Sequence, residues 1–312
     1  MTAPINTPLN APGAATPGVE ATGSPPGESL WQGAFKRLRR SPMAIIGATI
    51  MLLFVLVAVF APVLAPYEPA SVEWTDLSTP YFVQGPTSEH LLGIDRWGSD
   101  MLTQLIYGAR QSLIIGVVST LIGLVIGTIV GTIAGGVGGV VDTVLMRIVD
   151  IMLSIPSLLL AISIAAAMGK SSVALMVAIG VAQVPIFARL LRGSMLSQNR
   201  SDYVLAANAL GLRRRTVVMS HVLPNSLGPT IVQATLNLAT AIIEVAALTF
   251  LGLGSADPAV AEWGRMIVSG QERFQVAPWL SFYPGICIAI TALGFTLLGE
   301  AMREALDPKQ RR

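Results

Sequence analysis

The chain has 312 residues, of which 53% are hydrophobic and only 12% charged, and its mean hydropathy is +0.66. A soluble domain of this length carries roughly 25% charged residues, so the composition excludes one and indicates an integral membrane protein. A net charge of +2 gives no support to nucleic-acid binding, and the single cysteine, Cys287, excludes a disulfide framework or a thiolate metal cluster.

Residues 1–28 are rich in Pro, Ala, Thr and Gly without periodicity and read as a disordered tail ahead of a transmembrane domain over 29–308. Lys36, Arg37, Arg39 and Arg40 precede an apolar run over 43–65, too long and too far from the N-terminus for a signal core, so it reads as an uncleaved span. Crossing the hydrocarbon takes roughly 20 helical residues. The further segments approaching that length are 112–134, 151–168, 171–191, 230–254 and 283–301. Only a tight turn at Gly169-Lys170-Ser171 separates the third from the fourth. The second carries Gly123, Gly127, Gly131 and Gly135, each four apart, which leaves one helix face bare for close approach of another helix. Residues 309–312 form a short C-terminal tail.

These six spans sort the basic residues unequally. One side collects fifteen of the twenty Lys and Arg; the other holds Arg96, Arg110, Lys170, Arg265 and Arg273. The positive-inside rule then puts both termini in the cytoplasm, and loops 66–111 and 255–282, acidic and containing Trp74, Trp97, Trp263 and Trp279, outside.

Chemistry-bearing motifs are sparse. Gly169-Lys170-Ser171-Ser172 lacks the glycine a phosphate loop needs five residues earlier, where Ile164 stands. No hydrolase elbow or zinc-protease motif is present, so energy-consuming or hydrolytic chemistry comes from elsewhere or is absent. Glu244 is the clearest ionisable residue inside a span, read either as a pathway or gate residue or as a hydrogen bond to a neighbouring helix. Gln183, Gln233 and Asn237 are the other polar pathway candidates. Arg147 and Asp150, three apart, are expected to pair. His90 and Cys287 alone offer no metal site.

Between the fourth and fifth spans, 193–229 is polar and basic. Asp202 is expected to cap a short helix over Tyr203–Leu210 stopped by Gly211, with a second helix over Thr216–Val222 ended by Leu223-Pro224-Asn225. Ala206 and Ala207 would give the first helix a bare face for a partner; an amphipathic loop resting on headgroups is the other reading.

The stretch "AANALGLRRRTVVMSHVLPN" resembles the EAA loop of ABC importer permeases at Ala206, Ala207, Gly211, His221, Leu223, Pro224 and Asn225, with Leu205 where that loop begins with Glu. "HLLGIDRWGSDMLTQLIYGARQSL", "DTVLMRIVDIMLSIPSLLLA", "EVAALTFLGLG", "EWGRMI" and "REALDP" are similar to the C-type permeases of the dipeptide, oligopeptide and nickel importers. The resemblance covers nearly everything from Trp31 to Pro308. It implies a six-helix type I importer fold in a bacterial cell membrane, with EAA-type coupling helices at Leu205–Asn225. It also implies a homologous B-type permease, two ATPase subunits that bind ATP and Mg, and an extracytoplasmic substrate-binding protein. No cofactor is implied for this chain. Di- or oligopeptides are the expected cargo. Nickel chelates or haem in the same family are the alternative, and an ion-gradient-driven transporter is a third reading.

Overall fold

The computed structural model describes residues 30–257 and 260–306, without the side chains of 30–32 and 34; the expected tails 1–28 and 309–312 lie outside the described residues. Among these residues the only strands are the two arms of one hairpin, two residues each, and all else of regular structure is helical. A short helix α1 (Leu30–Leu38) leads into the first span, α2 (Pro42–Val59), through Ser41. Ser41 caps α2 by accepting from the Ala44 amide at 3.4 Å, and Pro42 occupies the first turn, where its missing N–H costs nothing. A single turn, α3 (Ala61–Leu64), closes the span.

The loop that follows folds into a cap on the face opposite α1. It contains a one-turn helix at Thr75–Leu77 and strands β1 (Ser78–Thr79) and β2 (Phe82–Val83), paired antiparallel. The cap is sealed by polar pairing. Buried His90 Nδ1 lies 3.0 Å from Asp100 Oδ1, and Asp100 Oδ2 accepts from the Thr103 amide at 2.8 Å. That second bond caps α4 (Met101–Val137), which therefore starts well before the apolar run at 112.

The third span is not one rod. α5 (Gly139–Ser154) and α6 (Ser157–Met168) meet at 93°. Pro156 lacks an N–H and forces Ile155 into extended backbone (φ −97°, ψ 130°), so the helix ends there. Gly169 (φ +88°) makes the turn into α7 (Ser172–Gln198), capped by Ser171. After α8 (Asp202–Ala209), α9 (Arg214–Val217) runs through a π-turn at Val218–Val222 into α10 (Leu223–Phe250). Two further helices, α11 (Trp263–Gln271) and α12 (Trp279–Leu306), complete the chain. Five helices are long and apolar enough to cross a membrane, and the bent α5–α6 pair makes six if taken as one span.

The expected second helix ending at Leu223-Pro224-Asn225 is corrected: Arg214–Phe250 is one continuous helical stretch. Pro224 follows directly on the π-turn, whose wider i→i−5 bonding carries the chain into α10, and the helix continues through it.

The bare glycine face finds its partner in α7. A Cβ on Gly127 would lie 2.5 Å from Phe187 Cβ and 2.8 Å from the Val184 carbonyl oxygen; one on Gly131 would lie 2.8 Å from the Ala188 carbonyl oxygen. α7 returns the favour at Gly180, 2.9 Å from the Ser119 carbonyl oxygen by the same measure. The two backbones therefore touch along most of their length, which only glycine permits. A second close approach joins α2 to α12 at Gly47 and Gly294.

Candidate functional site

The loop after α7 is built onto the bundle as a rigid block. Ser201, not Asp202, is the N-cap residue of α8, and Asp202 lies in the first turn. The C-terminus of α8 closes as expected at Gly211 (φ +76°). The Leu212 amide donates to the Ala207 carbonyl at 3.2 Å and the Gly211 amide to that of Asn208 at 3.0 Å, the paired bonds of a Schellman stop.

The faces of α8 differ from the expected alanine surface. Ala207 is buried with Val204 against Leu191, Met195, Val217, Val218 and Val222. Ala206 is exposed, so the two alanines do not share a docking face. What α8 and its flanks present outward is Leu205 at 57%, Leu210 at 81%, Leu212 at 41% and Met219 at 52% exposure. Four exposed apolar side chains therefore lie on this one short loop.

Polar ties hold the block in place. Tyr203 donates to Gln198 Oε1 at 2.7 Å and receives a longer bond from Asn225 Nδ2 at 3.4 Å, while Asn225 Nδ2 also donates to the His221 carbonyl at 2.7 Å. Leu223 and Pro224 begin α10 beneath them. Arg214 Nε donates to the Gly136 carbonyl at 2.9 Å, tying the block to the end of α4. Arg192 makes two bonds to Asp142 (2.7 and 2.6 Å), joining α7 to α5. The expected local pair of Arg147 with Asp150 is replaced by a bond from Arg189 to Asp150. These partners are 39 to 78 residues apart in sequence, beyond the reach of helical spacing.

Of the four pathway candidates, three come together. Gln233 Nε2 donates to Asn237 Oδ1 at 2.8 Å, and Asn237 Nδ2 to Gln183 Oε1 at 3.3 Å. Gln183 and Asn237 are both buried, so this chain of amides joins α7 to α10. Glu244 stands apart. Its Oε1 accepts from Ser157 Oγ at 3.1 Å, linking α10 to the first residue of α6, just past the 93° break. Its Oε2 is buried without a hydrogen-bond partner.

The opposite face carries a cavity of about 490 Å³ between the two long loops, lined among others by Asp95, Trp97, Gln104, Glu262, Arg265 and Met266. Burial pushes the carboxyls of Asp95 and Glu262 above their ordinary values and the Arg265 guanidinium below its own. Glu262 Oε1 nevertheless has a fixed task, accepting from the Gly264 amide at 2.9 Å as the cap of α11. Trp263, buried beside it, donates through its indole nitrogen to the Leu105 carbonyl at 3.1 Å. Arg96 pairs with Glu272 across the loops, and this hydrogen bond holds the Glu272 carboxyl below its usual range. No group of three His, Cys, Asp or Glu placed to hold a metal occurs among the described residues.

Comparison with known proteins gives two family matches. Residues 127–312 match the binding-protein-dependent transport system inner membrane component, and residues 29–82 the N-terminal transmembrane domain of oligopeptide transport permease C. The chain is 41% identical over 294 residues to the dipeptide transport system permease protein DppC of Alkalihalophilus pseudofirmus, covering 92% of this chain and 95% of that one. It is 39% identical to the di/tripeptide transport system permease protein DppC of Pseudomonas aeruginosa, covering 85% and 88%. It is also 38% identical to the glutathione transport system permease protein GsiD of Shigella flexneri, covering 89% and 90%. Among solved structures, the inward-facing MetNI methionine ABC transporter superposes with a TM-score of 0.55 at 21% identity, over 66% of this chain and 98% of that one.

Proposed function

The chain belongs to the binding-protein-dependent transport permeases of the dipeptide and oligopeptide type, and from that membership we propose that it forms half of the membrane pathway of a peptide importer. A homologous permease chain supplies the other half. Two separate ATPase subunits bind ATP and Mg, and an extracytoplasmic binding protein delivers the peptide. The chain lies in the inner membrane with α1, α8 and the end of α12 in the cytoplasm, in keeping with the bias of basic residues.

The observation that carries this reading is the α8 block: exposed apolar side chains at Leu205, Leu210 and Leu212 on a base packed against α7 and the start of α10. Such a block converts closure of an ATPase dimer into movement of whole spans. Leu205, in place of the family's Glu, faces outward, so its contact is an apolar one with the ATPase subunit. Gln183, Gln233 and Asn237 fix α7 to α10, while Glu244 and Ser157 hold the bent pair at its break, the joint best placed to open and close the pathway.

Peptides fit the cargo better than metal ions. The relatives are named for dipeptides, tripeptides and glutathione, and His90 is used inside the cap by Asp100. The test is uptake by the complete complex in vesicles, with labelled di- and tripeptides and with nickel offered free or chelated. Peptide uptake that requires ATP and the binding protein is expected. Metal uptake without peptide competition would move the chain to the metal-importing branch, and uptake surviving ATP depletion would remove it from ATP-driven import.

A further inference from the structure

α1 is a short helix carrying a run of cations, and it does not stand free. It packs against α12, and a groove of about 380 Å³ opens beneath it. Leu38, Ala44, Ile45, Ala48, Leu52 and Leu298 give the groove an apolar lining. Small side chains at Ala44 and Ala48 create the space, and the Thr49 hydroxyl is satisfied within its own helix by the Ile45 carbonyl at 2.7 Å. The groove runs along the first turns of α2, so its depth is hydrocarbon. At its mouth a second hollow of similar size is lined by Phe35, Lys36, Arg39 and Arg40. Phe35 and Arg39 belong to both, and the Arg39 guanidinium sits 5.5 Å above the Phe35 ring. Arg39 and Arg40 are exposed and have no carboxylate partner among the described residues, whereas Arg303 nearby on α12 is paired with Glu300.

An apolar slot at membrane depth, continuous with a cationic hollow at the interface, matches one chemistry: an anionic head on a hydrocarbon chain. We propose that the groove under α1 is a binding site for one anionic phospholipid, its phosphate on Arg39 and Arg40 and an acyl chain along Ala44, Ala48 and Leu298. Charge complementarity favours a lipid over a neutral transmembrane helix, and the depth of the slot favours it over a soluble partner. A free phosphate would use only the hollow and would leave the groove empty.

The complete complex is purified in mild detergent and exposed to phosphatidylglycerol or phosphatidylcholine of identical chains, with bound lipid counted by native mass spectrometry. Wild type is expected to prefer phosphatidylglycerol on the order of tenfold, since each basic side chain near an anionic head contributes materially. Glycerol phosphate, which has the head without the chain, is not expected to compete. The double variant Arg39→Gln, Arg40→Gln is expected to lose the preference, and Ala48→Trp to lose retention of both lipids. On wild type, a phosphatidylglycerol probe with a photoreactive chain end is expected to label residues 38–52, which tests the site without any variant. Equal retention of the two lipids by wild type, an unchanged preference in the double variant, or labelling without enrichment at 38–52 would each overturn the proposal. So would competition by glycerol phosphate, or a groove protected by another subunit in the absence of lipid.

Discussion

At the scale of single residues, the α8 block separates two substitutions that look alike on paper. Ala207 is 7% exposed and Leu210 is 81% exposed. Ala207→Asp buries a carboxylate with no partner, at a cost on the order of several kcal/mol, and is expected to lower the thermal midpoint of the purified complex and its yield. Leu210→Asp changes a largely exposed side chain and is expected to leave stability within about 0.5 kcal/mol, yet to cut co-purification of the ATPase and peptide-stimulated hydrolysis several-fold. Loss of stability in both variants would show that the block is held less firmly than its contacts imply. Gly211 as a helix stop was readable from sequence, because a left-handed C-terminal position favours that residue. Which alanine faces inward was not readable, because rotation about α8 is set by Met195 and Val218, which lie on other elements.

Glu262 carries a pH signature. Burial raises its carboxyl above the ordinary 4.5, so the folded state binds a proton that the unfolded state releases. Its contribution to stability is therefore greatest below 4.5 and falls as pH rises through the raised value. Glu262→Gln keeps an acceptor for the Gly264 amide and removes the titration. Thermal unfolding between pH 4 and 8 is expected to show a shallower decline for the variant than for wild type; parallel curves would count against it.

At the scale of elements, the α4–α7 contact makes two glycines behave oppositely. Gly127→Val drives a side chain into Phe187 and the Val184 carbonyl and is expected to destabilise by about 1–3 kcal/mol. Gly193, on the same α7, has nothing within 4 Å of an added Cβ, and Gly193→Ala is expected to stabilise by up to about 1 kcal/mol through helix propensity. Denaturation of the detergent-solubilised complex distinguishes the two. The glycine spacing announced a close helix contact, and hydropathy announced the spans. A proline alone does not say whether a helix stops: the chain breaks at Pro156 inside the expected 151–168 span but runs on through Pro224, as it does through Pro185, Pro229 and Pro284. At Ser157–Glu244 the two partners lie 87 residues apart, so neither periodicity nor local spacing brings them together.

Across the whole molecule, Arg214–Phe250 forms one rod of about 55 Å at 1.5 Å per residue. One end carries the α8 block; the other reaches the cap on the opposite face, where Thr249 and Glu262 are both buried. A rod of this kind transmits displacement only while it stays stiff. Inserting two glycines between Val217 and Val218 is expected to leave ATPase binding and basal hydrolysis in place while lowering transport tenfold or more. Normal transport in that variant, measured in vesicles beside hydrolysis, would mean that force reaches the pathway through α7 instead.

The glycine face of α4 also sets a timetable for biogenesis. α4 ends at Val137, but α7, the helix that covers it, is complete only at Gln198. At ribosomal rates of about 5–20 residues per second, α4 waits on the order of 3–12 seconds with a bare backbone stripe facing lipid or the insertion machinery. α5 and α6 must enter during that wait without occupying the stripe. In the finished fold it is α7, not α5 or α6, that meets Gly123, Gly127, Gly131 and Gly135, so the stripe stays reserved for the late-arriving helix.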